Sequence, residues 1–258
     1  MNPRQIIRFG PDHALHGTLH LPEAAPTKGL VICAPFGEEA KCAYRPLYEM
    51  ADLAAAKGAT ALRFDYFGTG NSKGRFEDFA PSRARDDIRA AMAYARGQGL
   101  KKVGILGLGL GATLAFETAA ESEVDFLVMW QPMVSGEEFY RLNIKRQLLR
   151  QMLTHGKAKG ARSQGDIIDL DGYPLRKQTV EQLKALSLPG RAQANTPPTL
   201  IVQISFTSNM AADLRALADA CRPKPDTECI VCEPFWKRIG FVDCSAVYDA
   251  TSNWLDRQ

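Results

Sequence analysis

Residues 103–115 read Val-Gly-Ile-Leu-Gly-Leu-Gly-Leu-Gly-Ala-Thr-Leu-Ala. An apolar run passes with no polar spacer into a helix-forming stretch, and the passage is lined with glycine at Gly107, Gly109 and Gly111. A strand that turns straight into a helix brings two backbones into contact. Its turning residue also takes torsions that side chains resist, so small residues are needed there. The short apolar run before the turn has the character of a strand buried on both faces, which occurs in parallel sheets covered by helices. The spacing predicts a strand over 102–106 and a helix over 110–120.

The rest of the chain repeats this rhythm. Strands are expected over 5–9, 15–21, 29–35, 59–65, 126–131, 199–205 and 227–232. Helices are expected over 45–57, 81–96, 210–221 and 245–255, several stopped by glycine or opened by proline. Alternation of this kind implies a parallel sheet with helices on both faces. The interval 133–198 breaks the rhythm and reads as an insertion. A helix is expected over 137–155, a turn at Asp169-Leu170-Asp171-Gly172-Tyr173 and a short helix over 180–186. From Arg141 to Arg162 the insertion carries seven Lys or Arg residues and no Asp or Glu. That is a solvated face, or a lid that offers positive charge to an anionic ligand, a membrane surface or a protein partner.

Composition narrows the class of function. With 258 residues, one core with an insertion accounts for the length. The net charge of +3 does not argue for a nucleic-acid partner. No apolar run approaches the roughly 20 residues that span a bilayer. Arg8 interrupts the start where a secretory core would continue, so a soluble, cytoplasmic protein is expected. The six cysteines then read as reduced thiols. Cys229 and Cys232 form a C-x-x-C, but on a strand residues three apart face opposite sides, so no metal or redox pair is expected there.

The glycine turn, Gly107-Leu108-Gly109-Leu110-Gly111, resembles the G-x-S-x-G nucleophile elbow of α/β-hydrolases, with Gly109 in the serine's place. Ala34-Pro35-Phe36-Gly37-Glu38-Glu39 resembles their oxyanion loop, and Asp65 to Ser72 their D-x-x-G-x-G-x-S turn. In order and spacing the chain is similar to the serine-aminopeptidase-like branch of that superfamily. More narrowly it resembles the hydrolase-like proteins of exosortase systems, through Gly37-Glu38-Glu39, Trp130 to Gly136 and Asp171-Gly172-Tyr173. The resemblance implies an α/β-hydrolase fold: a mostly parallel sheet with helices on both faces, a core of 1–132 and 199–258, and a mostly helical lid of 133–198. The chemistry that it implies is not supplied by the residues. The loop after the last strand, 233–241, has no histidine; the four histidines are His13, His16, His20 and His155, the first three read as surface or edge-strand residues. The acid position, Ser205 to Asn209, has no carboxylate. No acyl-enzyme forms without a hydroxyl or thiol at the elbow.

What survives is a cradle. Amides of Leu110 and of Phe36 or Gly37, with the positive end of the helix, are placed to bind a carbonyl or carboxylate oxygen. Candidate ligand-binding residues are therefore Phe36, Gly37, Glu38, Gly109, Leu110, Gln131, Phe235 and Trp236, the last four at or near strand C-terminal ends where open α/β sheets bind ligands. The expected function is non-hydrolytic binding of a small acyl or carboxylate ligand, with no catalytic residue, metal or cofactor, in a setting of surface-polymer export implied by the resemblance alone. One alternative is a hydrolase or acyltransferase with unconventional groups: Glu38 and Glu39 as acids or bases, Lys237 or Cys33 in the same cleft. Against it, the glutamates read equally as helix-capping and Cys33 as core. Another is a partner-binding module acting through the basic lid. Gly107-x-Gly109-x-x-Ala112 also fits a dinucleotide fingerprint, but no acid ends the following strand at Met129-Trp130-Gln131-Pro132.

Overall fold

The computed structural model describes residues 3–26, 28–155, 163–188 and 196–258. Two strands, β1 (Arg4–Phe9) and β2 (Leu15–His20), form an antiparallel hairpin. Then follow β3 (Lys28–Cys33), α1 (Glu38–Cys42), α2 (Tyr44–Ala56), β4 (Ala59–Asp65), α3 (Pro81–Gly97), β5 (Val103–Leu108), α4 (Leu110–Glu121) and β6 (Leu127–Trp130). The insertion holds α5 (Gly136–His155), β7 (Ser163–Gln164), β8 (Ile167–Leu170), β9 (Tyr173–Arg176) and α6 (Lys177–Lys184). The chain returns with β10 (Thr199–Ser205), α7 (Ala212–Ala220), β11 (Asp226–Val231) and α8 (Ser245–Leu255).

Eight strands form one sheet in the order β1-β2-β4-β3-β5-β6-β10-β11. From β4 to β11 neighbouring strands run parallel, and β2 joins antiparallel to β4. Alternate residues feed two cores. Val103, Ile105, Leu127, Met129 and Ile201 pack with Ile88, Ala91 and Leu114 of α3 and α4. Leu106, Leu108, Val128, Trp130, Val202 and Ile204 pack with Met50 of α2 and Trp254 of α8. The period of two thus divides a continuous apolar run between the two faces.

The insertion carries the two expected helices and, in addition, a three-stranded antiparallel sheet, β7-β8-β9, that the sequence did not announce. The turn expected at residues 169–173 joins β8 to β9. The insertion's neck closes where Ser135 bridges Ser187, with Gly136 donating to the Leu186 carbonyl and Leu188 to that of Val134. Leu170, Leu175, Val180 and Leu183 belong to the same buried cluster as α3 and α4, so the insertion is seated on the core. None of the described helices is long and apolar enough to cross a membrane.

Candidate functional site

The elbow forms as the glycines require. Gly109 turns β5 into α4 at φ 57°, ψ −122°. Its amide donates to the Trp130 carbonyl, and its own carbonyl accepts from the amides of Thr113 and Met133. The flanking glycines are obligatory for another reason: a β-carbon on Gly111 would stand 2.3 Å from the Cys33 carbonyl oxygen, and one on Gly107 2.4 Å from the Ala112 α-carbon. A β-carbon on Gly109 meets only Pro35 Cβ at 3.4 Å and Glu39 Oε2 at 3.5 Å, ordinary contacts. Gly37 makes a second turn of the same kind, at φ 58°, ψ −123°, from β3 into α1.

Between these turns lies a cavity of about 230 Å³. Pro35, Phe36 and Gly37 line one side, Leu110 and Leu114 another, and Tyr66, Phe76, Phe79 and Tyr173 supply aromatic walls. The rings pack around Phe36, Phe76 edge to face at 5.5 Å and Phe79 and Tyr173 tilted at 5.6 Å and 5.7 Å between centroids. The Tyr66 hydroxyl is buried and meets the Cys33 thiol but no hydrogen-bonding oxygen or nitrogen among the described residues. A second, more polar hollow of about 290 Å³ shares Ala34, Lys41, Phe64, Asp65 and Gly70 with the first and adds His16, Arg63 and Asn71.

The two adjacent glutamates have different surroundings. Tyr173 donates its hydroxyl hydrogen to Glu38 Oε2 at 2.9 Å and Lys41 Nζ lies at 3.2 Å, which together hold the Glu38 carboxyl below its ordinary range. Both glutamates stand in the first turn of α1, where negative charge suits the positive end of the helix. Glu39 is largely buried beside the elbow, and burial pushes it up to about 7 against the opposing pull of Arg146 and Lys237. Cys33 is fully buried and its thiol is pushed up to about 12, so it is a core residue and no thiolate.

Of the sequence-derived candidates, Phe36, Gly37 and Leu110 line the cavity, with Glu38 and Gly109 immediately beside it. Three do not join them. Gln131 takes φ 40°, and its Oε1 accepts from the Ile204 amide at 2.9 Å while its own amide donates to the Val202 carbonyl; it finishes the sheet. Phe235 and Trp236 are 2% and 5% exposed. Their rings lie 5.1 Å apart and Phe235 packs edge-on to Trp130, so both fill the core beneath α1. Phe235 and Trp236 thus fold this part of the loop into the core.

The segment after β10 and the described histidines have other partners. Ser205 Oγ bonds the Thr207 carbonyl, and no carboxylate lies between 205 and 209. His20 is fully buried between Asp52 at 2.6 Å and Arg63 at 3.1 Å, and burial lowers it. His16, expected as an edge-strand residue, lines the polar hollow with Nδ1 3.4 Å from Asp65 Oδ2. In the basic segment, Arg141 pairs with Glu138, and Arg146 and Arg150 with the buried Asp171. Three of its seven cations are therefore paired within the insertion. Lys157, Lys159 and Arg162 lie outside the described residues, as does the His155 side chain. Sequence reasoning missed Tyr66, Phe76, Phe79 and Tyr173 as lining residues. The Phe76-Glu77-Asp78-Phe79 spacing and the Gly172-Tyr173 turn were the available signals.

Comparison with known proteins agrees with this geometry. A family model described as acyl transferase matches residues 30–149, from β3 into α5. An acyl transferase of Shewanella hanedai is 24% identical over 102 residues, 39% of this chain and 33% of that protein, so the likeness spans about a third of the relative's length. Among solved structures, Est1E from Butyrivibrio proteoclasticus with ferulic acid bound superposes with a TM-score of 0.72 at 18% identity, covering 95% of each chain. The esterase domain of a Rhodothermus marinus protein does so at 0.67 and 18%, covering 99% of this chain and 98% of that one. The alpha/beta hydrolase GrgF from Penicillium sp. sh18 gives 0.67 at 15%, covering 99% and 96%. The chain has the α/β-hydrolase fold.

Proposed function

We propose that this protein binds a small acyl or carboxylate ligand in the aromatic cavity and forms no acyl-enzyme. The observation that carries the reading is the elbow itself: its turn and helix N-terminus are built as in an acyl-transferring site, beside a fitted cavity, yet its tip is glycine. The Leu110 amide opens α4, where the first turn lacks intrahelical acceptors, and with the Gly37 turn it forms a cradle for a carbonyl or carboxylate oxygen. The rings around Phe36 favour a flat or short apolar acyl group. The fold neighbour holding ferulic acid makes aryl carboxylates the first class to try. The narrower resemblance to exosortase-associated proteins extends the proposal to an accessory role in surface-polymer export. Calorimetric titration with 3-phenylpropionate and with acetate tests binding; saturable heat with the aryl acid, abolished by Leu114→Trp in the cavity wall, is expected. A fluorophosphonate probe should label no residue, and labelling refutes the absence of an acyl-enzyme.

A second reading, docking of a partner through the lid, is favoured by the exposure of Leu142, Leu149, Met152 and Leu153 on α5 next to Arg141 and Lys145. Loss of a co-purifying protein on replacing those two cations by glutamate is its test.

A further inference from the structure

Glu39 is the one acid at this site whose position the binding role leaves without a purpose. Glu38, next to it, is tied to Tyr173 and Lys41, whereas no hydrogen bond holds the Glu39 carboxyl among the described residues. The Gly37 turn opens α1, and α1 carries Glu39 over the elbow, with Oε2 3.5 Å from the point where a β-carbon on residue 109 would stand. Two cations from separate parts of the chain act on it, Arg146 of α5 and Lys237 of the loop after β11, while Glu38 and Cys42 share its own helix. A largely buried carboxyl group, aimed at the turn where the fold places its chemistry and bonded to nothing, is a poor structural device.

We propose that Glu39 is a catalytic general base that, with glycine at 109, activates water for direct attack on the carbonyl of an ester or thioester whose acyl group lies in the aromatic cavity. The space that a serine side chain would need at the elbow is on the scale of one water, roughly 30 Å³. A water placed where the β-carbon of residue 109 would stand is 3.5 Å from Glu39 Oε2. The carboxylate takes a proton from it as the water oxygen bonds to the carbonyl carbon. The carbonyl π pair moves onto its oxygen, which the Leu110 and Gly37 amides receive. The pair then returns, the bond to the alkoxide or thiolate breaks, and the leaving group takes the proton from Glu39. One water and one ester give one carboxylic acid and one alcohol or thiol, and Glu39 ends as it began. No imidazole is required. Burial that lifts the carboxyl to about 7 makes it a stronger base than an exposed glutamate while leaving it ionised in mildly alkaline solution.

The inference rests on the acyl-binding reading, because the carbonyl must reach the Leu110 amide. The test compares wild type, Glu39→Gln and Lys237→Met in hydrolysis of p-nitrophenyl 3-phenylpropionate, with calorimetric binding of 3-phenylpropionate alongside. Wild type is expected to turn over with kcat/KM rising with pH through a midpoint near 7 to a plateau above about pH 8. Glu39→Gln should lower kcat about 100-fold or more with the affinity for 3-phenylpropionate within about threefold. Lys237→Met should move the midpoint of the profile upward, since a charge that favours the ionised form is gone. In ¹⁸O-water a single turnover should label the product acid and not Glu39. Equal rates for wild type and Glu39→Gln, a profile with no ionisation near 7, or label on Glu39 overturns the inference; the wild-type profile and isotope result stand even where a variant fails to fold. Binding of 3-phenylpropionate without any hydrolysis overturns this inference and leaves the binding role, whereas absence of both removes the two together.

Discussion

Alanine at position 111 and alanine at position 109 should damage the protein by different mechanisms and to different degrees. Gly111 has ordinary helical torsions in the first turn of α4, so on propensity alone alanine there would gain about 1 kcal/mol. Its β-carbon, however, would stand 2.3 Å from the Cys33 carbonyl oxygen and 2.4 Å from that of Ala34. Restoring normal contact needs a shift of about 1 Å between α4 and the end of β3, a central strand hydrogen-bonded on both sides. Overpacking of rigid backbone of this kind costs about 3–5 kcal/mol. Gly109→Ala meets no contact under 3.4 Å and suffers only from its torsions, φ 57° and ψ −122°, a cost of about 1–2 kcal/mol. At about 2–4 °C per kcal/mol for a chain of this size, calorimetry should show a net Tm loss of about 4–16 °C for Gly111→Ala and about 2–8 °C for Gly109→Ala. Gly109→Ser should behave like Gly109→Ala and acquire no fluorophosphonate labelling, because no imidazole lines the cavity among the described residues. The reasoning is refuted if Gly109→Ala is the more damaging of the pair, or if Gly111→Ala melts with wild type.

Glu39→Gln should also reveal itself in stability. The folded value, about 7, lies above the ordinary 4.5, so the folded state favours the neutral carboxyl. The wild type is then unpenalised below about pH 4.5, loses stability as pH rises to about 7, and is level above that; the variant should gain on it by about 2 kcal/mol at pH 8 after allowing for the group's partial exposure. Asp87, raised to about 6 by burial, bends the wild-type curve in the same direction, so the difference between the two urea midpoints is the quantity to follow. Tyr66→Phe removes a buried hydroxyl that meets only a thiol and should leave urea stability unchanged or raise it by about 1 kcal/mol, while a fall of more than 1 kcal/mol would reveal a bond that the structure does not show. Phe235→Ala should lower stability by about 3–5 kcal/mol as a core truncation, with 3-phenylpropionate binding intact once the variant is folded.

The contrast between legible and illegible parts of this molecule follows from the range of the interactions involved. The alternation of β5, β6 and β10 between two cores is a local period, readable wherever four or more residues sustain it. The elbow was readable because Gly107 and Gly111 answer a backbone contact within one strand–turn–helix unit. Strands β7 to β9, two to four residues each, are too short for a period to form. Likewise α1 has five residues and no apolar stripe, yet its presence buries Phe235 and Trp236, which its absence would have left facing the site. Glu38 and Glu39 are chemically identical neighbours, and what separates them is the hydroxyl of Tyr173, 135 residues away from Glu38. No local reading distinguishes the two.

The elbow's geometry, with glycine at its tip, is accounted for once its bonds are followed. The Gly109 carbonyl receives the Met133 amide, and the Thr113 hydroxyl donates to the Met133 carbonyl at 2.7 Å, so this turn ties β5 and α4 to the neck from which the insertion springs. The fold needs the elbow whether or not a reaction occurs there, which is why its geometry by itself is no sign of catalysis. Chemistry is better sought in groups that the fold does not need and that weaken it. Two such groups stand near the elbow: the Tyr66 hydroxyl in the cavity wall, which meets only a thiol, and the Glu39 carboxyl beside Gly109, desolvated at a cost and bonded to nothing described. A protein whose remaining function was only to be a scaffold would be more stable with phenylalanine and glutamine in their places, and the variants that make those exchanges therefore measure how much of the site still serves a ligand.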